Sequence, residues 1–175
     1  TATQPTPTEK LASIKPTENA FYDLMRILGS VRLFHNNGSV YAKINKTVTP
    51  IKSTSFDEWL TATYCNMHDK KKHITKDRLN CAIKTFNENT LQHGKDEPIY
   101  KRIAGVNGDL YINLKNKDRQ VVKITKGSFE VIDYTDKVNF KEIRSATAMA
   151  LPIKPSINCN FDLLKKYINS NDDGW

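Results

Sequence analysis

Long apolar runs are absent from this chain. None approaches the length of a bilayer span, and no charged-then-apolar leader opens the sequence, so no membrane partner is expected. Cysteine is scarce. The three residues Cys65, Cys81 and Cys159 cannot form an even disulfide framework, which favours a reduced, cytoplasmic setting. In that setting the glycosylation-like tripeptides at Asn37 and Asn45 carry no meaning. Nucleotide and hydrolase signatures are missing too: no G-x-x-x-x-G-K-[ST], no G-x-G-x-x-G, no G-x-S-x-G and no H-E-x-x-H. The carboxylates Asp57, Glu58, Asp109 and Asp133 are scattered and form no compact catalytic pattern.

Acidic residues are the last shortage. Nineteen Asp and Glu face 27 Lys and Arg, a formal net charge of +8, which favours a polyanionic partner. The rival explanation is vocabulary, because the chain is rich in Lys, Asn and Ile, as coding in an AT-rich genome produces. With 38% hydrophobic residues among 175, the chain can bury one full core but hardly two independent ones. A first residue of Thr rather than Met points to a piece of something longer.

Periodicity organises what is present. Residues 1–16 mix Thr and Pro and read as a flexible lead-in to a single α+β domain over 17–175, with a helical half over 17–94 and a strand-rich half over 95–175. Thr17 is placed to cap a helix whose inner face holds Ala20, Phe21, Leu24, Met25 and Leu28, with Gly29 near its end. "VRLFHNNGSVYAKI" reads as a hairpin turning at Asn37-Gly38, and "TVTPIK" as a third strand that Pro50 assigns to an edge. Ser55 and Glu58 suggest a capping box before an aromatic-faced helix, and Thr75 and Gly94 bracket another. Alternation then replaces helical spacing. "IYKRIAG", "DLYINLK", "QVVKITK", "FEVIDY" and "VNFKEI" are strand candidates of a mainly antiparallel sheet, followed by an extended "ALPIKP" and a short helix "FDLLKKYI".

The stretch "CNMHDKKKHITKDRLNC" concentrates the chemistry. Cys65, His68, His73 and Cys81 are of the right types for tetrahedral zinc, but they lack the close knuckle spacing, and Lys70, Lys71 and Lys72 would crowd the cation. Such cysteines are more often small buried residues, and such histidines lie at the surface. The lysines, with Lys76 and Arg78, lead into a helix and suit phosphate, although a solvated loop uses the same residues. Lys101, Arg102, Lys115, Lys117, Arg119, Lys123 and Lys126 punctuate the strands. Lys123 should point away from Val122 and Ile124 onto a wet, positive sheet face. Tyr100, Tyr111 and Tyr134 lie among these charges, where they either stack bases or fill the core.

The collinear order of "LFHNNGSVYAKI", "PIKSTSFDEWL", "YKRIAG", "DLYINLKNKDRQVVKITKGSFEVI", "VNFKEIRSATAMALPIKP" and "FDLLKKYINSNDDGW" resembles the region upstream of the P-loop ATPase in primase–helicase-like replication proteins of phages, plasmids and integrating elements. The resemblance spans about residues 31 to 175, and Ser53, Arg102, Phe140, Arg144 and Pro152 match its pattern. Asp173-Gly174-Trp175 matches the ending that precedes the ATPase in that family. Asn113 stands where relatives tend to carry a carboxylate, and Gly127-Ser128-Phe129 loosens a Gly-Trp pair, so no catalytic or metal role is carried over.

The reading that follows is a non-catalytic module that binds or positions nucleic acid in a mobile-element replication protein. It has no cofactor and no metal. Its partners are single- or double-stranded DNA, held largely without regard to sequence, and a helicase-like ATPase encoded after residue 175. A protein-interaction module docking an ATPase or primase, and a metal-dependent nuclease assembled by the fold, are the alternatives. The zinc expectation is directly testable. Purified protein should carry no stoichiometric zinc, and Cys65→Ser should cost no more than an ordinary packing loss. One tightly held equivalent by elemental analysis would overturn this.

Overall fold

In the computed structural model, which describes residues 14–44, 46–134, 137–142 and 145–153, the chain folds as α+β. The first helix, α1 (Ala20–Ser30), is capped by Asn19 rather than Thr17. The Asn19 side-chain oxygen accepts from the amides of Phe21 and Tyr22 at 3.1 and 3.2 Å. Thr17 is occupied elsewhere. Its amide and hydroxyl both donate to the carboxylate of Asp23, which is fully buried and needs donors that water does not supply there.

The expected hairpin forms from β1 (Arg32–Asn36) and β2 (Ser39–Ile44). Asn37 and Gly38 turn at φ of +46° and +72°, the left-handed pair that a two-residue hairpin loop requires. β3 (Thr47–Pro50) completes an antiparallel sheet in the order β1-β2-β3, and Pro50 lies on its edge strand as expected.

Helix α2 (Thr54–Met67) opens at Ser53, two residues before the anticipated capping box. Ser53 Oγ accepts from the Phe56 amide and donates to the Pro50 carbonyl at 2.6 Å, which ties the cap to the end of β3. Helix α3 (Lys76–His93) has Thr75 at its N-cap position, without a side-chain capping bond, and stops at Gly94. Gly94 is a steric requirement, because a Cβ there would run into the carbonyl of Thr90. The three helices and the hairpin sheet enclose one core, with Leu24, Ile27, Leu28, Val40, Ala42, Phe56, Leu60 and Tyr64 at its centre.

The strand-rich half departs from expectation at both ends. "IYKRIAG" splits into β4 (Ile99–Tyr100) and β5 (Ile103–Val106), while the described part of "VNFKEI" contributes β9 (Asn139–Phe140) and a bridge at Lys141. β4 and β9 pair in parallel, Ile99 with Asn139 and Tyr100 with Phe140. Between them β5, β6 (Asp109–Asn113), β7 (Gln120–Thr125) and β8 (Ser128–Asp133) form an antiparallel meander. A second core of Ala104, Tyr111, Val121, Val138 and Phe140 lies beneath it. Residues 150–153 of "ALPIKP" have no regular secondary structure. The expected helix over 161–168, Cys159, Arg144 and the Asp173–Trp175 ending lie outside the described residues, as does the lead-in before residue 14.

Two polar constellations hold these parts in place. His68, expected at the surface, is instead buried at the end of α2, with Nε2 2.9 Å from Asp23 Oδ2 and its ring 4.7 Å from that of Tyr64. It therefore ties α2 to α1. Burial and the Asp23 carboxylate together push the Tyr64 phenol above its ordinary range. Across the molecule, Glu97 takes both oxygens to Arg32 at 2.9 and 2.6 Å and accepts from the Asn139 amide at 2.8 Å. Its own amide donates to the His35 carbonyl at 3.0 Å. One residue thus joins β1 to β9.

His68→Ala should lower the unfolding free energy by about 2 kcal/mol, since the buried Asp23 carboxylate keeps only its Thr17 donors and a gap opens beside Tyr64. Urea denaturation followed by circular dichroism measures this, and a loss below about 1 kcal/mol would refute the structural role given to the pair. Glu97 generates a pH prediction. Burial opposes its charge, but the bonds from Arg32 and Asn139 outweigh that and hold the carboxyl below its ordinary range. A depressed carboxylate stabilises the fold above the unfolded-state pKa and loses that contribution as pH falls through the folded value. The stability advantage of wild type over Glu97→Gln should therefore be flat near neutrality and shrink below about pH 4.5. An advantage that grows on acidification would contradict the assignment.

Candidate nucleic-acid interface

The β6–β7 connection is built by its own asparagines. Asn113 Oδ1 accepts from the Lys115 amide at 2.9 Å, and Asn116 Oδ1 accepts from the Gln120 amide at 2.8 Å. Asn116 also donates to Gln120 Oε1 at 2.8 Å, so the loop is closed on both sides by side-chain amides. Lys115 and Arg119 take left-handed backbone at φ of +50° and +54°, and buried Leu114 anchors the loop to the core. This geometry turns Lys115, Lys117 and Arg119 toward a recess of about 290 Å³.

Other segments close the walls. Lys101 and Arg102 come from the β4–β5 connection, Lys46 and Thr47 from the start of β3, and Lys141 and Glu142 from the residues after β9. The Arg102 guanidinium donates to the Thr147 carbonyl at 2.6 Å, and that of Arg119 to Thr47 Oγ1 at 3.0 Å. The floor is Tyr134 and Phe140, packed edge to face with centroids 6.2 Å apart. Tyr134 is fixed by its hydroxyl, which donates to the Val138 carbonyl and accepts from the Phe140 amide, both at 3.1 Å. The ammonium of buried Lys43 lies 4.9 Å from the centre of the Tyr134 ring. Among the described residues, seven Lys and Arg side chains therefore line one concavity with one carboxylate, Glu142.

Five of the basic residues singled out from sequence meet there: Lys101, Arg102, Lys115, Lys117 and Arg119. Lys70, Lys71, Lys72, Lys76 and Arg78 do not line it. They belong to the exposed α2–α3 connection and the first turn of α3, and Lys72 donates to the Thr17 carbonyl at 3.4 Å. Lys126 occupies the β7–β8 turn. Lys123 corrects the expected positive sheet plane. It lies 3.5 Å from Asp109 and 3.6 Å from Glu130, and these carboxylates hold its ammonium above the ordinary range. Both Val121 and Val122 are buried, so β7 has no fully wet face.

Lys46 and Lys141 escaped sequence reasoning. They flank β3 and β9, and the pairing of Val48 with Lys141 brings those ends together. The tyrosines resolve toward the core. Tyr111 is 2% exposed, and Tyr100 and Tyr134 pack against the same cluster, so Tyr111 offers no face to a base. Among the described residues no three His, Cys, Asp or Glu side chains converge, with Cys81 exposed and His68 bound to Asp23. No helix among them is long and apolar enough to cross a membrane. No protein-family model, curated protein or solved structure matches the chain.

Proposed function

We propose that this chain is a non-catalytic nucleic-acid-binding module, which positions DNA for a helicase-like ATPase in the cytoplasmic replication protein of a mobile element. The observation that carries the reading is the recess where, among the described residues, seven basic side chains meet one carboxylate. Like charges drawn together in a concave site repel one another, and the concavity focuses their field outward. A polyanion relieves that repulsion and releases its condensed counterions on binding. The cations contact phosphate and carry no pattern of paired donors and acceptors suited to base edges, so binding is largely independent of sequence. The replication context rests on the collinear motif order over residues 31–175, which supplies the ATPase as partner.

Fluorescence anisotropy with short single- and double-stranded oligonucleotides across a salt series tests the reading. Affinity should fall with salt, by a slope of about −0.9 per neutralised phosphate on duplex and about −0.7 on single strands. Replacing Lys101, Lys117 and Lys141 with Ala should weaken all sequences alike and flatten the single-strand slope by up to about 2. Replacing Lys70, Lys71 and Lys72 should do less, because they stand apart from the recess. Undetectable binding at low salt by the folded wild type would overturn the proposal.

A further inference from the structure

We infer that the basic recess receives a terminal phosphate monoester of a nucleic-acid strand in preference to the internal diesters. The inference rests on the nucleic-acid reading above and names what that site holds.

Size is the first argument. The recess has a volume of about 290 Å³. That is room for a phosphate group and its attached sugar. It lies at the lower edge of the range for small-ligand pockets and is far too small to admit a duplex. The recess can therefore contain an end, while a duplex backbone can only pass over its mouth.

Charge is the second. A diester carries one negative charge, whereas a monoester near neutral pH carries about −1.5 to −2 and offers three strong acceptor oxygens. Among the described residues, Lys46, Lys101, Arg102, Lys117 and Lys141 share the recess with one carboxylate, Glu142, which is more positive charge than a single diester neutralises. The types of cation matter as well. Arg102 is held by the Thr147 carbonyl and Arg119 by the Thr47 hydroxyl, so each guanidinium has a set orientation. A guanidinium has five N–H donors in a rigid fork that fits two phosphate oxygens at once. Lys101, Lys117 and Lys141 are exposed ammonium groups on flexible stems, which adjust around a group already seated.

Rigidity is the third. The loop that carries Lys115, Lys117 and Arg119 is closed by Asn113 and Asn116 before any ligand arrives. A preset wall loses little conformational freedom on binding, which favours a compact ligand of defined shape over a mobile backbone.

The test compares one single-stranded oligonucleotide in three forms, with a 5′-phosphate, a 3′-phosphate or neither, against the full chain by anisotropy at fixed salt. At least one phosphorylated form should bind about tenfold more tightly than the unphosphorylated strand. Lys117→Ala and Lys101→Ala, both at exposed positions, should each reduce that ratio, while Lys70→Ala should leave it intact. Equal binding of all three forms would overturn the inference and leave the nucleic-acid reading standing. No binding of any form would overturn both. Adenosine monophosphate serves as the competing probe. If it abolishes the end preference at concentrations near the affinity for the phosphorylated strand, the site takes free nucleotide and the strand-end assignment fails.

Discussion

The carboxylate of Glu97 grips Arg32 and Asn139 at the same time, and the placement of the basic recess depends on that grip. Arg32 opens the first strand of the hairpin, and Asn139 opens the last short strand of the second half. Arg32 lies beside Val31 and Leu33 of the first core, and Asn139 between Val138 and Phe140 of the second. Hydrogen bonds to an ionised carboxylate are directional and short, so they hold β1 and β9 in place where burial, which is non-directional, does not. Beside them Val48 pairs with Lys141, and Lys46 lines the recess together with Lys101 and the β6–β7 loop.

The molecule treats its charges in two different ways. Lys123 is flanked by Asp109 and Glu130 on neighbouring strands, an arrangement that satisfies the ammonium locally. Around the recess lysines and arginines are gathered with one carboxylate among the described residues. Such a gathering lowers the stability of the compact state through self-repulsion, and the surrounding structure must hold it together. The asparagine-closed loop, the Tyr134 hydroxyl bridge and the guanidinium bonds of Arg102 and Arg119 supply that rigidity. At the far side of the hairpin the buried Asp23–His68 pair performs a comparable task, joining α1 to α2 and fixing where the lysine-rich connection begins.

Local chemistry was legible wherever neighbours in sequence decide the outcome. Asn37-Gly38 specifies its turn because both residues tolerate left-handed backbone, and Pro50 assigns an edge because it has no amide to donate. Helix spacing placed Leu24, Leu28, Leu60 and Ile83 inward, since one face of each helix must leave water. The caps were displaced by two residues, to Asn19 and Ser53, because Thr17 serves a buried carboxylate and Ser53 is bonded back to Pro50. Both competing partners belong to the folded surroundings and are invisible to a pattern of residue types.

The sequence by itself determined an α+β chain of excess positive charge, the hairpin, the helix faces, and which lysines and arginines were available to meet phosphate. Only the tertiary structure decided which of them meet. Lys101, Arg102, Lys115, Lys117 and Arg119 converge with Lys46 and Lys141, while the conspicuous run Lys70–Lys72 stands apart. The reason is physical. A run of lysines is a local property, whereas convergence requires strand ends distant in sequence to pair, as β4 does with β9 and Val48 with Lys141. Parallel pairing of two-residue strands leaves almost no periodic signal, and the bonds that enforce it come from Glu97, whose partners lie 65 residues before it and 42 residues after it.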